Sequence, residues 1–186
     1  TMASEPKPRI LKVSWLRYLV RIWRLARAVR KSGFKPDHIV AISRGGLVAG
    51  VILSHLLRDK DSGDVPLSVI GAVGYSEDMK RNAEIVFERH MFYPTGGVAK
   101  NVLVVDDLDD SGRTLAFVVE HLRRKFPGIT VIRFAVVFHK VSSKVMPDYI
   151  GQEIGVDRKT GLVPWIRKPE ESKRLHLVGT WLARIK

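Results

Sequence analysis

Residues 102–115 read VLVVDDLDDSGRTL. The opening VLVV is apolar and mostly β-branched, which suits a strand buried on both faces. That strand delivers Asp106 and Asp107 to its carboxyl end. Two carboxylates there can accept hydrogen bonds from a sugar diol. Asp110, Ser111, Gly112, Arg113 and Thr114 then turn into a helix. Gly112 admits close backbone approach, and the successive N–H groups with the helix N-terminus form an anion cradle. Ser111 and Thr114 add hydroxyl donors. One short segment thus sets a diol site beside a phosphate site, the two features of a ribose 5-phosphate. The competing reading is a structural turn rich in aspartate. Four aspartates within residues 106–110 repel one another, and such clustering of like charge points to function rather than to packing.

Working outward, residues 38–43 (HIVAIS) form a short apolar strand that runs into RGG, and residues 47–57 (LVAGVILSHLL) a buried helix. Residues 67–73 (LSVIGAV) are a further strand, 115–125 a helix and 131–139 (VIRFAVVFH) another strand. Residues 10–32 read as an amphipathic helix, with Leu16, Leu19, Val20, Trp23 and Ala26 as its core stripe, arginines between them and Gly33 as its stop. Residues 74–100 are polar and broken by Gly and Pro, a long connection of the kind that forms lids. Beyond residue 140 the chain reads as irregular, with Pro147, Pro164 and Pro169 as punctuation. Strands alternating with helices predict an α/β fold with an open, mainly parallel twisted sheet. Ligands bind such sheets beyond the carboxyl ends of the strands, where RGG and DDLDDSGRT both sit.

The 186 residues suit one domain with a core. There is no cysteine, so disulfides, thiolate nucleophiles and Cys-based zinc sites are excluded. Residues 1–9 have no apolar segment of signal-peptide type, and no apolar run approaches the ~20 residues that cross a bilayer. These features lead us to expect a cytoplasmic protein with no membrane partner. The net charge of +13 would attract nucleic acid or a small polyphosphate. Because Lys and Arg are spread along the chain rather than gathered in a block, a solvated basic surface is the simpler account, and nucleic acid is not the expected partner.

The 102–115 segment resembles the signature for 5-phosphoribosyl-1-pyrophosphate (PRPP) in type I phosphoribosyltransferases: four apolar residues, two acidic ones, a spacer, then Asp-Ser/Thr-Gly-x-Thr. Residues 41–48 (AISRGGLV) are similar to the pyrophosphate loop of the xanthine-guanine members. The resemblance runs through residues 13–171. It implies that Arg44, Gly45 and Gly46 hold pyrophosphate, in a loop that often carries a non-proline cis peptide. Residues 110–114 would hold the 5′-phosphate. Asp106 and Asp107 would meet the ribose hydroxyls and, mainly through water, a magnesium ion (Mg2+). Asp110 takes the place of a candidate general base near the purine N7. Tyr75 and Ser76 resemble a polar pair on the lid. The implied layout is one domain over 10–172, with a PRPP-binding core at 37–140, a lid at 74–100, and a hood from 140–172 plus the N-terminal segment. Residues 173–186 form an extension with no assigned role.

In 6-oxopurine members a lysine after the strand that follows the PRPP helix donates to O6, and an aromatic residue stacks on the base. Lys140, Trp165 and Ile166 match, Ile166 through its backbone. Lysine only donates, so it favours a 6-oxo over a 6-amino group, and indole offers a stacking face. Glu171 stands where a carboxylate would accept from a purine 2-amino group. The chain departs from the family at Val141, where Pro is usual, at 169–171 (PEE), where a second Trp is usual, and in the extra stretch 155–161 (GVDRKTG). The implied activity is purine salvage: PRPP plus hypoxanthine, guanine or xanthine gives the nucleoside monophosphate and pyrophosphate, in a homodimer or homotetramer. The alternatives are an adenine or pyrimidine enzyme on the same scaffold, or a PRPP-responsive regulator that binds RNA. Clustering of Arg17, Arg21, Arg24 and the basic run 123–125 into one stripe would favour the regulator.

Overall fold

The computed structural model describes residues 7–61, 63–71 and 99–171. Tyr75 and Ser76, expected on a lid, and residues 173–186 lie outside them. Seven strands and three α-helices are described, in the order β1 (Ile10–Lys12), α1 (Trp15–Lys31), β2 (His38–Ser43), α2 (Gly46–Leu56), β3 (Leu67–Gly71), β4 (Asn101–Asp109), α3 (Arg113–Lys125), β5 (Val131–Lys140), β6 (Tyr149–Ile154) and β7 (Trp165–Arg167). A single turn of 3-10 helix, Pro169–Glu171, follows β7. Five strands form one sheet in the order β3-β2-β4-β5-β6, and β1 pairs with β7 in a second. Every pairing between these strands is parallel.

Alternation along the central strands divides the core in two. Ile39, Leu103, Val105, Ala135 and Val137 pack with α1 and α2 on one face. Val40, Ile42, Val102, Val104 and Val136 pack with Leu115, Val118 and Leu122 of α3 on the other. Burial on both faces is the reason the middle stretches of these strands, IVAI, VLVV and FAVVF, are continuously apolar. From β2 the chain steps outward to β3, then returns to β4 on the other side of β2. The carboxyl edge between β2 and β4 is therefore the topological switch point, where such sheets leave a crevice.

Three expectations require correction. Residues 10–12 do not begin the first helix. They form β1 in register with β7, Ile10 opposite Trp165 and Leu11 opposite Ile166, and the helix starts after Ser14, whose hydroxyl accepts the Arg17 N–H at 3.3 Å. The core face of α1 is Tyr18, Ile22, Leu25, Ala26 and Val29, whereas Leu16, Leu19, Val20 and Trp23 are exposed, Leu16 by 73%. Both stripes have helical spacing, and the sheet selects only one. Finally, the region beyond 140 contains β6 and β7. Gly151 in β6 lets the strand lie close, because a Cβ there would stand 2.7 Å from the Val137 carbonyl oxygen and 3.1 Å from Arg21.

Gly112 caps α3 in the left-handed region, at φ 77°. A Cβ there would lie 2.5 Å from the Val145 side chain. Gly33, at φ 75° after α1, has nothing within 4 Å of such a Cβ. Gly33→Ala should therefore cost only the backbone term of about 1 kcal/mol, and Gly112→Ala about 1–3 kcal/mol more for overpacking. Urea unfolding of the two variants beside the parent chain reads that difference.

His38 sits at the amino end of β2, buried, with Nε2 2.8 Å from Ser68 Oγ. Burial lowers its pKa below the ordinary 6.5, opposed by the nearby Asp37 carboxylate. The unfolded chain takes up this proton at a higher pH than the folded one. Its stabilising effect is thus complete above pH 6.5 and is lost as pH falls below that value. Thermal melting between about pH 5 and 8 should show a drop on the acid side, and His38→Gln should flatten that slope by up to ~1.4 kcal/mol per pH unit.

Candidate active site

Two helices begin at the switch point. α2 starts at Gly46 directly beyond β2, and α3 starts at Arg113 directly beyond the β4 turn. The first N–H groups of each have no partner within the helix and carry the positive end of its dipole. Because β2 and β4 are neighbours, these two anion-binding ends lie side by side. The arrangement suits a ligand with two separate phosphate groups. In the first loop the Ser43-Arg44 peptide is cis, and Arg44 is exposed. A Cβ on Gly45 would stand 2.2 Å from Asp107 Oδ1, and one on Gly46 2.4 Å from the Val105 carbonyl oxygen. The bare backbone of this loop is thus pressed directly against the carboxyl end of β4.

β4 runs on through Asp109, so three of the four aspartates belong to the strand rather than to the turn. Asp106 and Asp107 are both buried. Burial, and next the neighbouring Asp107 carboxylate, hold the Asp106 carboxyl well above the usual carboxylate range. Its Oδ1 accepts the Asp107 N–H at 2.8 Å. Asp107 instead receives Lys168, whose ammonium donates to Oδ2. Glu171 Oε1 lies 3.2 Å from the same ammonium. Burial alone would lower the Lys168 pKa, but Asp107 and then Glu171 outweigh it, so the pKa is raised and the ammonium stays charged.

Asp110 is more than half exposed and sits 2.8 Å from the buried Lys140 ammonium at the end of β5. That ammonium also lies 5.5 Å from the centre of the Trp165 ring, within cation–π range. The indole is 57% exposed and so presents a free face. Ser111 and Arg113 are exposed, and Thr114 is half-buried. Ile166 is buried in the core cluster that includes the inward face of α1. The structure brings Arg44, Gly45, Gly46, residues 106–114, Lys140 and Trp165 to one edge of the sheet. Sequence reading missed Lys168, Asp109 and His139. Lys168 follows Trp165 by three residues in a stretch that had looked irregular, and nothing in its spacing marks it. Asp109 was hidden by its neighbours.

Among the described residues no cluster of three or more His, Asp or Glu side chains is grouped to hold a metal ion. Two adjacent carboxylates beside an anion cradle fit a hydrated divalent cation bound mainly through water and ligand oxygens, the habit of Mg2+.

A family profile described as "Phosphoribosyl transferase domain" matches residues 14–164. The chain is 34% identical over 101 residues to hypoxanthine-guanine phosphoribosyltransferase of Schizosaccharomyces pombe, covering 49% of each protein. It is 29% identical over 168 residues to xanthine-guanine phosphoribosyltransferase of a Ruegeria species, covering 86% of this chain and 87% of that one. The match spans about half the length of the two yeast relatives, of which the second is xanthine phosphoribosyltransferase 1 of Saccharomyces cerevisiae. Among solved structures, a purine phosphoribosyltransferase from Pyrococcus horikoshii superposes with a TM-score of 0.64 at 32% identity, over 88% of this chain and 95% of that one. By the profile, the relatives and the parallel sheet they share, the chain belongs to the phosphoribosyltransferase family and has the type I fold.

Proposed function

We propose that this chain transfers the 5-phosphoribosyl group of PRPP to a 6-oxopurine, giving a nucleoside monophosphate and pyrophosphate. The observation that carries the reading is the position of the Lys140 ammonium, between the carboxylate that opens the phosphate loop and the face of Trp165. A purine stacked on that indole would meet a donor at its 6-position and the Asp110 carboxylate at its imidazole edge. Relatives named hypoxanthine-guanine and xanthine-guanine phosphoribosyltransferase support the same substrate class.

In this scheme the purine N9 lone pair forms the bond to C1′ while the C1′–O bond breaks with inversion. Pyrophosphate leaves with the bonding electrons, and Asp110 takes the proton lost by the purine. Positive charge develops at C1′, as in glycoside chemistry, so the protein acts mainly by positioning and electrostatics. Residues 110–114 hold the 5′-phosphate, and Arg44 with the amides of Gly45 and Gly46 holds pyrophosphate. Asp106 and Asp107 face the ribose diol and would hold Mg2+ through water. The ion supplies charge neutralisation to the diphosphate. Lys168 already occupies one oxygen of Asp107, which limits direct contact between that carboxylate and a metal.

The regulatory alternative needs the basic runs to meet in one stripe. α1 and α3 lie on opposite faces of the sheet, so Arg17, Arg21 and Arg24 are separated from residues 123–125. The Arg21 guanidinium is further engaged by Gln152 and by the Arg17 carbonyl.

Purified protein given PRPP, Mg2+ and each of hypoxanthine, guanine, xanthine and adenine should form nucleotide with a 6-oxopurine and stop when EDTA is added. Turnover of adenine alone, or of none of the four, overturns the reading. Lys140→Met removes a charged donor worth roughly 1.5–3 kcal/mol. It should therefore lower kcat/KM for the 6-oxopurine by about 10- to 100-fold, with adenine rates unchanged. Steady-state kinetics on both bases check this.

A further inference from the structure

Asp109 is buried at 3% exposure, and its neighbour across the sheet, His139, at 2%. They face each other in the register of β4 and β5. Asp109 Oδ1 accepts the Gly112 N–H at 2.9 Å, and Oδ2 lies 2.9 Å from His139 Nδ1. A carboxylate only accepts, so the histidine supplies Nδ1–H, and both carboxylate oxygens are engaged. Removing such a pair from water costs more than packing two apolar side chains in the same space, so stability does not account for it. Its effect is geometric. The carboxylate grips the amide of the one residue in the turn with a left-handed backbone, immediately before α3 begins. The next residues along, Asp110 and Lys140, pair across the same strands.

We propose that Asp109 and His139 are positioning residues for the phosphate loop. His139 orients the Asp109 carboxylate, and the carboxylate fixes the Gly112 amide so that the loop's remaining N–H groups converge on a phosphate monoester. This rests on the reading of residues 110–114 as the 5′-phosphate site, and it assigns the role to two side chains that touch no substrate.

The test is isothermal titration of the intact chain with two probes, ribose 5-phosphate for this loop and pyrophosphate for the Arg44 loop. The double variant Asp109→Leu with His139→Leu replaces the pair by apolar groups of similar size, a change that keeps folds intact. It should melt at or above the parent temperature and bind pyrophosphate as the parent does. Its affinity for ribose 5-phosphate should fall about tenfold or more, as when a supporting contact to a site is lost. Asp109→Asn keeps an acceptor for the Gly112 amide and should stay within about threefold of the parent. The inference is overturned if the folded double variant binds ribose 5-phosphate as tightly as the parent, if it loses both probes alike, or if it melts well below the parent. A parent chain that binds pyrophosphate but not ribose 5-phosphate overturns the reading of the loop and this inference with it. A parent that binds neither overturns the proposed function as a whole.

Discussion

Four carboxylates on residues 106–110 crowd the end of one buried strand; Asp106, Asp107 and Asp109 are buried and must shed or balance their charge for the sheet to close around them, while Asp110 lies at the surface beside them. Each does so differently. Asp106 has its carboxyl pKa raised well above the usual range by burial and by Asp107. Asp107 is met by Lys168 from the 3-10 turn region after β7. Asp109 is met by His139, and Asp110 by Lys140, both from β5. Three cationic or hydrogen-bonding partners are thus drawn from segments remote in sequence. The local repulsion along β4 is balanced by the tertiary fold.

The same balance organises the site. The pairs of Asp109 with His139 and Asp110 with Lys140 are adjacent along the β4 and β5 edge, so the loop proposed to hold phosphate and the lysine proposed to read the base are fastened to the same two strands. Lys168 ties the segment after β7 to Asp107 of β4 and is itself flanked by Glu171. A ligand that inserted between Asp110 and Lys140, or displaced Lys168 from Asp107, would exchange one set of charge contacts for another. It would not have to create them in a neutral pocket. Such preorganised charge favours chemistry in which positive character develops at a sugar carbon.

Parallel strand order supplies the remaining constraint. Since β2 and β4 are neighbours while β3 lies outside them, the two helix N-termini that follow β2 and β4 open onto one crevice. The close approach of Gly45 to Asp107 and of Gly46 to the Val105 carbonyl shows how little space separates the two loops. A side chain at either glycine would push the anion-binding backbone away from the carboxylates it adjoins.

Local sequence carried a large part of this. The apolar runs of β2, β4 and β5 were legible because burial on both faces makes four or five successive positions apolar in each strand. The DDLDDSGRT turn was legible because its chemistry is contiguous. Arg44, Gly45 and Gly46 were visible for the same reason. What could not be read were choices between equivalent local options. α1 carries two apolar stripes of helical spacing, and only packing against β5 and β6 decides that Tyr18, Ile22, Leu25 and Val29 face inward. β1 and β7 are three residues each, and strands that short exist only through pairing with each other. Lys168 and His139 gained their roles from partners 61 and 30 residues away. The sequence by itself determined which groups could bind phosphate, diol and base, because those groups lie together along the chain. Tertiary structure alone decided which cation answers each carboxylate, because charges interact through space and the chain order does not record that distance.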